Sequence, residues 1–283
     1  PGRLRGPGIG DNSLGVAAMI GALKVLDDLR IETEHDILAV ATVGEEGLGN
    51  LRGVREAVRR YQDQLAGVIA VEGHNVGRIT YGAVGSVRWK VTVRGPGGHS
   101  WGAFGKPSAI HGLGRIIAAI DELEVSSSPK TTYNVGVIEG GTSVNTIAAS
   151  ASAVIDMRSV DSVALRHLVD RIGNIATSAA GDGLGVDIEV LGERPAGEIP
   201  IEHPFVQRSG DVLSALGMEP IFEASSTDAN IPISLGIPAV CVGISRGTGG
   251  HTVNETIDVE PIATGLAQLV LLAAGSGATT KSG

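Results

Sequence analysis

The sequence predicts an α/β protein interrupted by a ferredoxin-like βαββαβ domain. Apolar runs typical of buried parallel strands alternate with helical segments at both ends of the chain. Between them, from Val87, the pattern changes to a strict period of two. After about residue 196 the first pattern returns. Residues 1–78 and 196–283 are therefore expected to form one α/β domain, with residues 79–195 inserted into it.

Leu14, Ala17, Ala18, Gly21 and Val25 keep a helical spacing, with Ser13 as a candidate cap. The continuous apolar run Ile37 to Val43 reads as a strand buried on both faces, and Val68 to Val71 as a second. A helix is expected between them over Val54 to Tyr61. In the insert, Val87, Trp89, Val91 and Val93 alternate with Arg88, Lys90, Thr92 and Arg94. A helix follows, with Ile110, Leu113, Ile117 and Ile120 on one side. Strands are expected over Thr132–Val137 and Ala151–Arg158. Asp161 is placed to cap a helix bearing Leu165, Leu168, Val169, Ile172 and Ile175. The alternating Val186, Ile188 and Val190 close the unit. Beyond it lie a helix near Phe205–Leu216, a strand Ala239–Ile244, a helix near Pro261–Ala274 and a frayed tail, Gly275–Gly283.

Composition narrows the function. The 283 residues are 42% hydrophobic and carry a net charge of −9, which offers no footprint for nucleic acid or for an anionic membrane. No apolar run is long enough to span a bilayer. The single cysteine, Cys241, lies in an apolar run and reads as a small buried hydrophobe; a reducing compartment, the cytoplasm, is expected.

Acidic residues fall where the predicted buried strands end. Asp11 precedes the first helix, Glu45 and Glu46 follow the Ile37–Val43 run, and Glu72 follows Val68–Val71. In open α/β sheets ligands bind beyond the carboxyl ends of the strands. His251, in Gly249-Gly250-His251, adds an imidazole in the loop after Ala239–Ile244. Singly, Asp11 is a helix cap, the Glu pair a solvated loop and His251 an idle loop residue. Together, one histidine and several carboxylates make a ligand set for zinc or another divalent ion.

The stretches GPGIGDNSLGVAAMI, VATVGEEGLG, GGHS, GVIEGGTSVNTIAASASAVIDMR, SSTDANIPISLGIPAV and GGHTVNE resemble, in order and over nearly the whole chain, the M20 family of metallopeptidases and amidohydrolases. That family includes carboxypeptidases, aminoacylases, di- and tripeptidases and succinyl-diaminopimelate deacylases. The resemblance implies that Asp11 bridges two metals, that Glu46 and His251 complete one site, and that Glu72 ligates the second metal. It implies Glu45 as general base and His99 as an oxyanion stabiliser offered to the partner of a homodimer formed through the inserted lid. It also implies Asn145 and Arg158 as substrate contacts, two zinc ions (or cobalt or manganese), and a small peptide or N-acyl amino acid as substrate. Asp228 and Glu255 read as supporting residues, and His74 as a remote candidate ligand. The family's upstream His-x-Asp has no counterpart in the ten residues before Asp11. The chain is accordingly expected to be an N-terminally truncated, impaired hydrolase. A non-catalytic binding or dimerisation homologue on the same scaffold is the alternative.

Overall fold

The computed structural model describes residues 2–33, 35–275 and 279–280. The chain divides into two compact units, one of Pro1–Glu45, Leu51–Ala83 and Glu198–Gly283, the other of Glu46–Asn50 and Val84–Gly197.

The first unit is built on a mixed sheet in the order Gly197–Glu198, Arg78–Ala83, Ala239–Gly243, Val68–Glu72, with Ile221–Ser225 parallel to Arg78–Ala83. Ala239–Gly243 runs parallel to Val68–Glu72, and all five of its residues are buried. The unbroken apolar run is explained by a core on each face of the sheet. Val68 and Ala70 pack on a cluster containing Val206, Leu213 and Leu272. Val71 packs on the other cluster, with Ala18, Ala22, Leu26, Leu269 and Val270. The helix Gly15–Asp28 buries Gly15, Ala18, Ala22 and Leu26, a spacing of three and four that makes one apolar stripe.

Three expectations in this unit need correction. The run Ile37 to Val43 forms no strand, and Ile37, Leu38, Val40 and Val43 are exposed. Apolar content signals a tendency to be covered, but a strand also needs a neighbour to bond, and among the described residues this segment pairs with none. Ser13 caps nothing: the chain enters the helix through a π turn, Ile9–Leu14, and the cap position falls on Leu14 without a side-chain bond. The insert, expected from residue 79, begins only at Val84, because Arg78–Ala83 is a strand of this unit's sheet. The tail lies outside the described residues apart from Gly275 and the backbone of Thr279–Thr280, which pairs with Ile31–Glu32.

By length and composition Ile9–Asp28 could cross a membrane. Its helical geometry breaks at Asp11 and Asn12, leaving a continuous helix of 14 residues, short of the roughly 20 that a bilayer requires.

The second unit is ferredoxin-like. Its four strands lie in the order Gly185–Arg194, Gly85–Arg94, Ser150–Ser159, Thr131–Gly140, all antiparallel. The helices Ala109–Asp121 and Ser162–Ser178 pack on one face. Register sets Val87 opposite Met157, Trp89 opposite Ile155 and Val93 opposite Ala151. Along Ser150–Ser159 every second residue, from Ala151 to Ser159, is buried. This period-two burial onto Leu113, Ile116, Ile120, Leu168 and Ile172 is what the alternation encodes. Asp161 caps its helix, Oδ1 accepting from Ala164 N at 2.7 Å.

Candidate metal centre

The chain passes Asp11 with non-helical dihedrals (φ −105°, ψ 92°) inside the π turn. The main chain here is held from outside the turn. Asn12 Nδ2 donates to the carbonyl of Val71 at 2.6 Å, which ties the turn to the end of the strand Val68–Glu72. The backbones then approach so closely that a Cβ on Gly73 would lie 1.9 Å from the carbonyl oxygen of Gly10. Asp11 and the Glu72 strand end are thereby neighbours along the sheet edge.

His251 follows two glycines in a turn closed by Thr252 N donating to Gly249 O at 3.1 Å. Its φ of 64° is in the left-handed region, uncommon for a side-chain-bearing residue and found preferentially at functional sites. Its Nε2 lies 2.9 Å from Asp11 Oδ2. The Asp11 side chain is mostly buried, whereas that of His251 is exposed.

The loop from Glu45 is closed at its base by Leu51 N donating to Gly44 O at 2.8 Å. Just before it, Thr42 Oγ1 donates to Asp228 Oδ2 at 2.5 Å. Asp228 thus steadies the strand-like approach to Glu45. Within this unit the ligand atoms brought together are Asp11 Oδ2 and His251 Nε2. Tetrahedral zinc ligands at 2.0–2.2 Å are about 3.3–3.6 Å apart, so this pair fits a common ion with small side-chain adjustments.

Glu255 is 1% exposed. Its Oε1 accepts from Gly10 N at 3.0 Å and Asp11 N at 2.7 Å, and pairs with His74 Nε2 at 2.6 Å. Burial alone pushes this carboxyl up, but the bonds from His74, Asp11 and Gly10 outweigh it and hold the group below the usual carboxylate range. His74 therefore spends Nε2 on Glu255, which argues against its reading as a substitute ligand. Cys241 is fully buried, and burial, with Glu72 nearby, pushes its thiol well up.

In the second unit His99 pairs with Thr146, which brings it beside Asn145, and Ser100 N donates to Asn145 O at 2.9 Å. His99 Nδ1 accepts from Trp101 N and Gly102 N, both at 3.3 Å. With Nδ1 engaged as acceptor, the neutral ring carries its proton on Nε2. Arg158 lies in the strand Ser150–Ser159, and its Nε donates to Asp156 Oδ2 at 2.6 Å. Arg88 Nε donates to the other oxygen at 2.9 Å. Asp156 is pushed up by burial, but the two guanidiniums win and its carboxyl titrates below the ordinary range.

Residues 81–183 match the model of the M20 peptidase dimerisation domain, which coincides with most of the ferredoxin-like unit. The chain is 27% identical over 272 residues to the succinyl-diaminopimelate desuccinylase of Methylorubrum extorquens, covering 90% of this chain and 69% of that protein. The crystal structure of aminopeptidase PepT from Bacillus cereus superposes with a TM-score of 0.78 at 25% identity, over 93% of this chain and 70% of that one. The chain is thus similar to M20 peptidases, in its inserted unit and over most of its length. A further M20 structure, the YxeP protein of Bacillus subtilis, is described as a dinuclear metal binding peptidase. It shares the fold with a TM-score of 0.68 at 19% identity, over 94% of this chain and 72% of that one.

The M20 pattern drew attention to Asp11, Glu46 and His251 in the sequence. It did not reveal the roles of Glu255 and His74. Their signal was the cluster of glycines at 10, 73 and 247, each of which has no room for a side chain.

Proposed function

We propose that this protein hydrolyses an amide bond in a small peptide or N-acyl amino acid, using divalent metal. The observation that carries this reading is the 2.9 Å approach of His251 Nε2 to Asp11 Oδ2, from opposite ends of the chain. Aminopeptidase and desuccinylase relatives support amide hydrolysis as the reaction class.

Asp11, Glu46 and His251 would hold one ion, and Asp11 and Glu72 would contribute to a second. Zinc suits this oxygen and nitrogen set, and cobalt or manganese could replace it. When bound, such ions polarise the amide carbonyl and acidify water. Glu45 takes the proton from the attacking water as the new C–O bond forms. It then returns that proton to the amide nitrogen as the C–N bond breaks, releasing an amine and a carboxylate. His99, offered across a homodimer, donates its Nε2 proton in a hydrogen bond to the tetrahedral oxyanion. Asn145 and Arg158 engage the substrate, the guanidinium facing its carboxylate. A reducing compartment suits a chain whose one thiol is buried.

The test is a panel of N-acyl amino acids, dipeptides and tripeptides assayed with zinc, cobalt or manganese added, and again after chelation. Turnover should require metal. Glu45→Gln should lower kcat by at least about 100-fold, the scale of general-base catalysis, while bound metal, read by elemental analysis, stays unchanged. Metal-independent turnover, or a Glu45→Gln variant as active as the native protein, would reject the reading.

A further inference from the structure

We propose that the buried Glu255 and the half-buried His74 form a clamp that sets the position of the Asp11 carboxylate, making both of them positioning residues of the metal centre. The proposal rests on Asp11 acting as a ligand.

The turn that carries Asp11 cannot position it alone. Asp11 and Asn12 depart from helical dihedrals, so the regular intrahelical ladder is interrupted where the carboxylate must be aimed. Glu255 supplies what the turn lacks. Although 244 residues away in sequence, it takes the N–H of Asp11 at 2.7 Å and that of its neighbour Gly10 at 3.0 Å on the same oxygen, Oε1. A carboxylate receiving main-chain N–H groups makes charge-assisted bonds, stronger than neutral ones. Glu255 lies in the segment between the His251 turn and the strand Thr256–Asp258, which pairs with Arg3–Arg5. The residue that steadies Asp11 is therefore four positions from the other ligand of the pair, His251.

His74 steadies Glu255 in turn. Its Nε2 lies 2.6 Å from Oε1, while its Nδ1 is buried without a partner among the described residues, so the ring proton belongs on Nε2, where Glu255 accepts it. The ring occupies a slot cut by two glycines. A Cβ on Gly10 would lie 2.2 Å from His74 Nε2, and one on Gly247 would lie 2.7 Å from Cε1. Neither glycine has a positive φ, so close neighbours exclude a side chain there: the His74 ring at Gly10, and at Gly247 the ring together with the Thr256 carbonyl oxygen, 1.9 Å from where a Cβ would lie. An imidazole packed this closely holds the carboxylate in one orientation. Partners of this kind, one bond removed from the ion, commonly set ligand geometry and metal affinity.

Zinc dissociation constants, obtained by competition with a chromophoric chelator, test the clamp on the native protein and on Asp11→Asn, Glu255→Ala, Glu255→Gln and His74→Phe. Far-UV circular dichroism checks folding of each. Glu255→Ala should weaken zinc binding about 10–100-fold. Glu255→Gln keeps an oxygen for the same three donors and should restore most of the loss, a rescue that general destabilisation does not predict. His74→Phe keeps a ring in the slot but donates nothing, and should weaken binding several-fold. If Asp11→Asn loses zinc while Glu255→Ala and His74→Phe bind it as the native protein does, the clamp is refuted and the metal centre stands. If Asp11→Asn binds zinc as tightly as the native protein, the centre is misassigned and the clamp falls with it. Should Glu255→Ala fail to fold, a folded His74→Phe with native affinity refutes the clamp by itself.

Discussion

Asp156 carries two guanidiniums, one on each oxygen, from the strand beside it and from its own. Its carboxyl is held below the ordinary range despite burial. A depressed folded-state value means that the charged form stabilises the fold above the unfolded value, about 3.9 for aspartate. That stability is lost as pH falls through the folded value. Asp156→Asn should therefore lower the urea midpoint at pH 7, and the gap to the native protein should narrow at pH 3. A gap of equal size at both pH values would contradict this account. Asp228 shows the same principle in a different form. Its bond to Thr42 joins residues 186 apart in sequence, and neither residue type reveals that partner in advance. Asp228 was legible as a supporting residue in a family-like stretch, but its partner was not.

Elements were legible where local chemistry decides them. Asp161 at the start of an amphipathic segment satisfies the N–H of Ala164, and both the cap and the helix Ser162–Ser178 could be read directly. Asp161→Ala should cost about 0.5–2 kcal/mol, measured as the shift in chemical unfolding with the slope unchanged. A change smaller than the measurement error would mean that the helix is held by packing alone. The run Ile37 to Val43 marks the limit of such reading. Its composition matches that of Ala239–Gly243, yet one is exposed and the other is wholly buried. The difference is that Ala239–Gly243 has strands on both sides to bond. Conversely, Arg78–Ala83 was assigned from residue 79 onward to the insert, although it bonds three neighbours in the first unit's sheet.

At the scale of the molecule, the ferredoxin-like unit matches a peptidase dimerisation domain, and its edge strand Thr131–Gly140 exposes Val137 and Ile138. A free edge with apolar side chains favours pairing with a second copy. Multi-angle light scattering at micromolar concentration should give twice the mass of 28.8 kDa. A monomer across that range would count against dimerisation and against His99 acting in a partner's site.

The sequence by itself determined what depends on neighbours along the chain. These were the alternation that builds the inserted sheet, the cap at Asp161, the helical spacing from Leu14 to Val25, and the ordered motifs that resemble M20 peptidases. Tertiary structure alone decided which charged groups meet. Asp11 and His251 come within 2.9 Å from opposite ends of the chain, and Glu255 crosses the same distance in sequence to hold the Asp11 main chain. Such contacts depend on how strands and turns stack in space, and no local pattern records them, because hydrogen bonds and ion pairs act over a few ångströms whatever the separation in sequence.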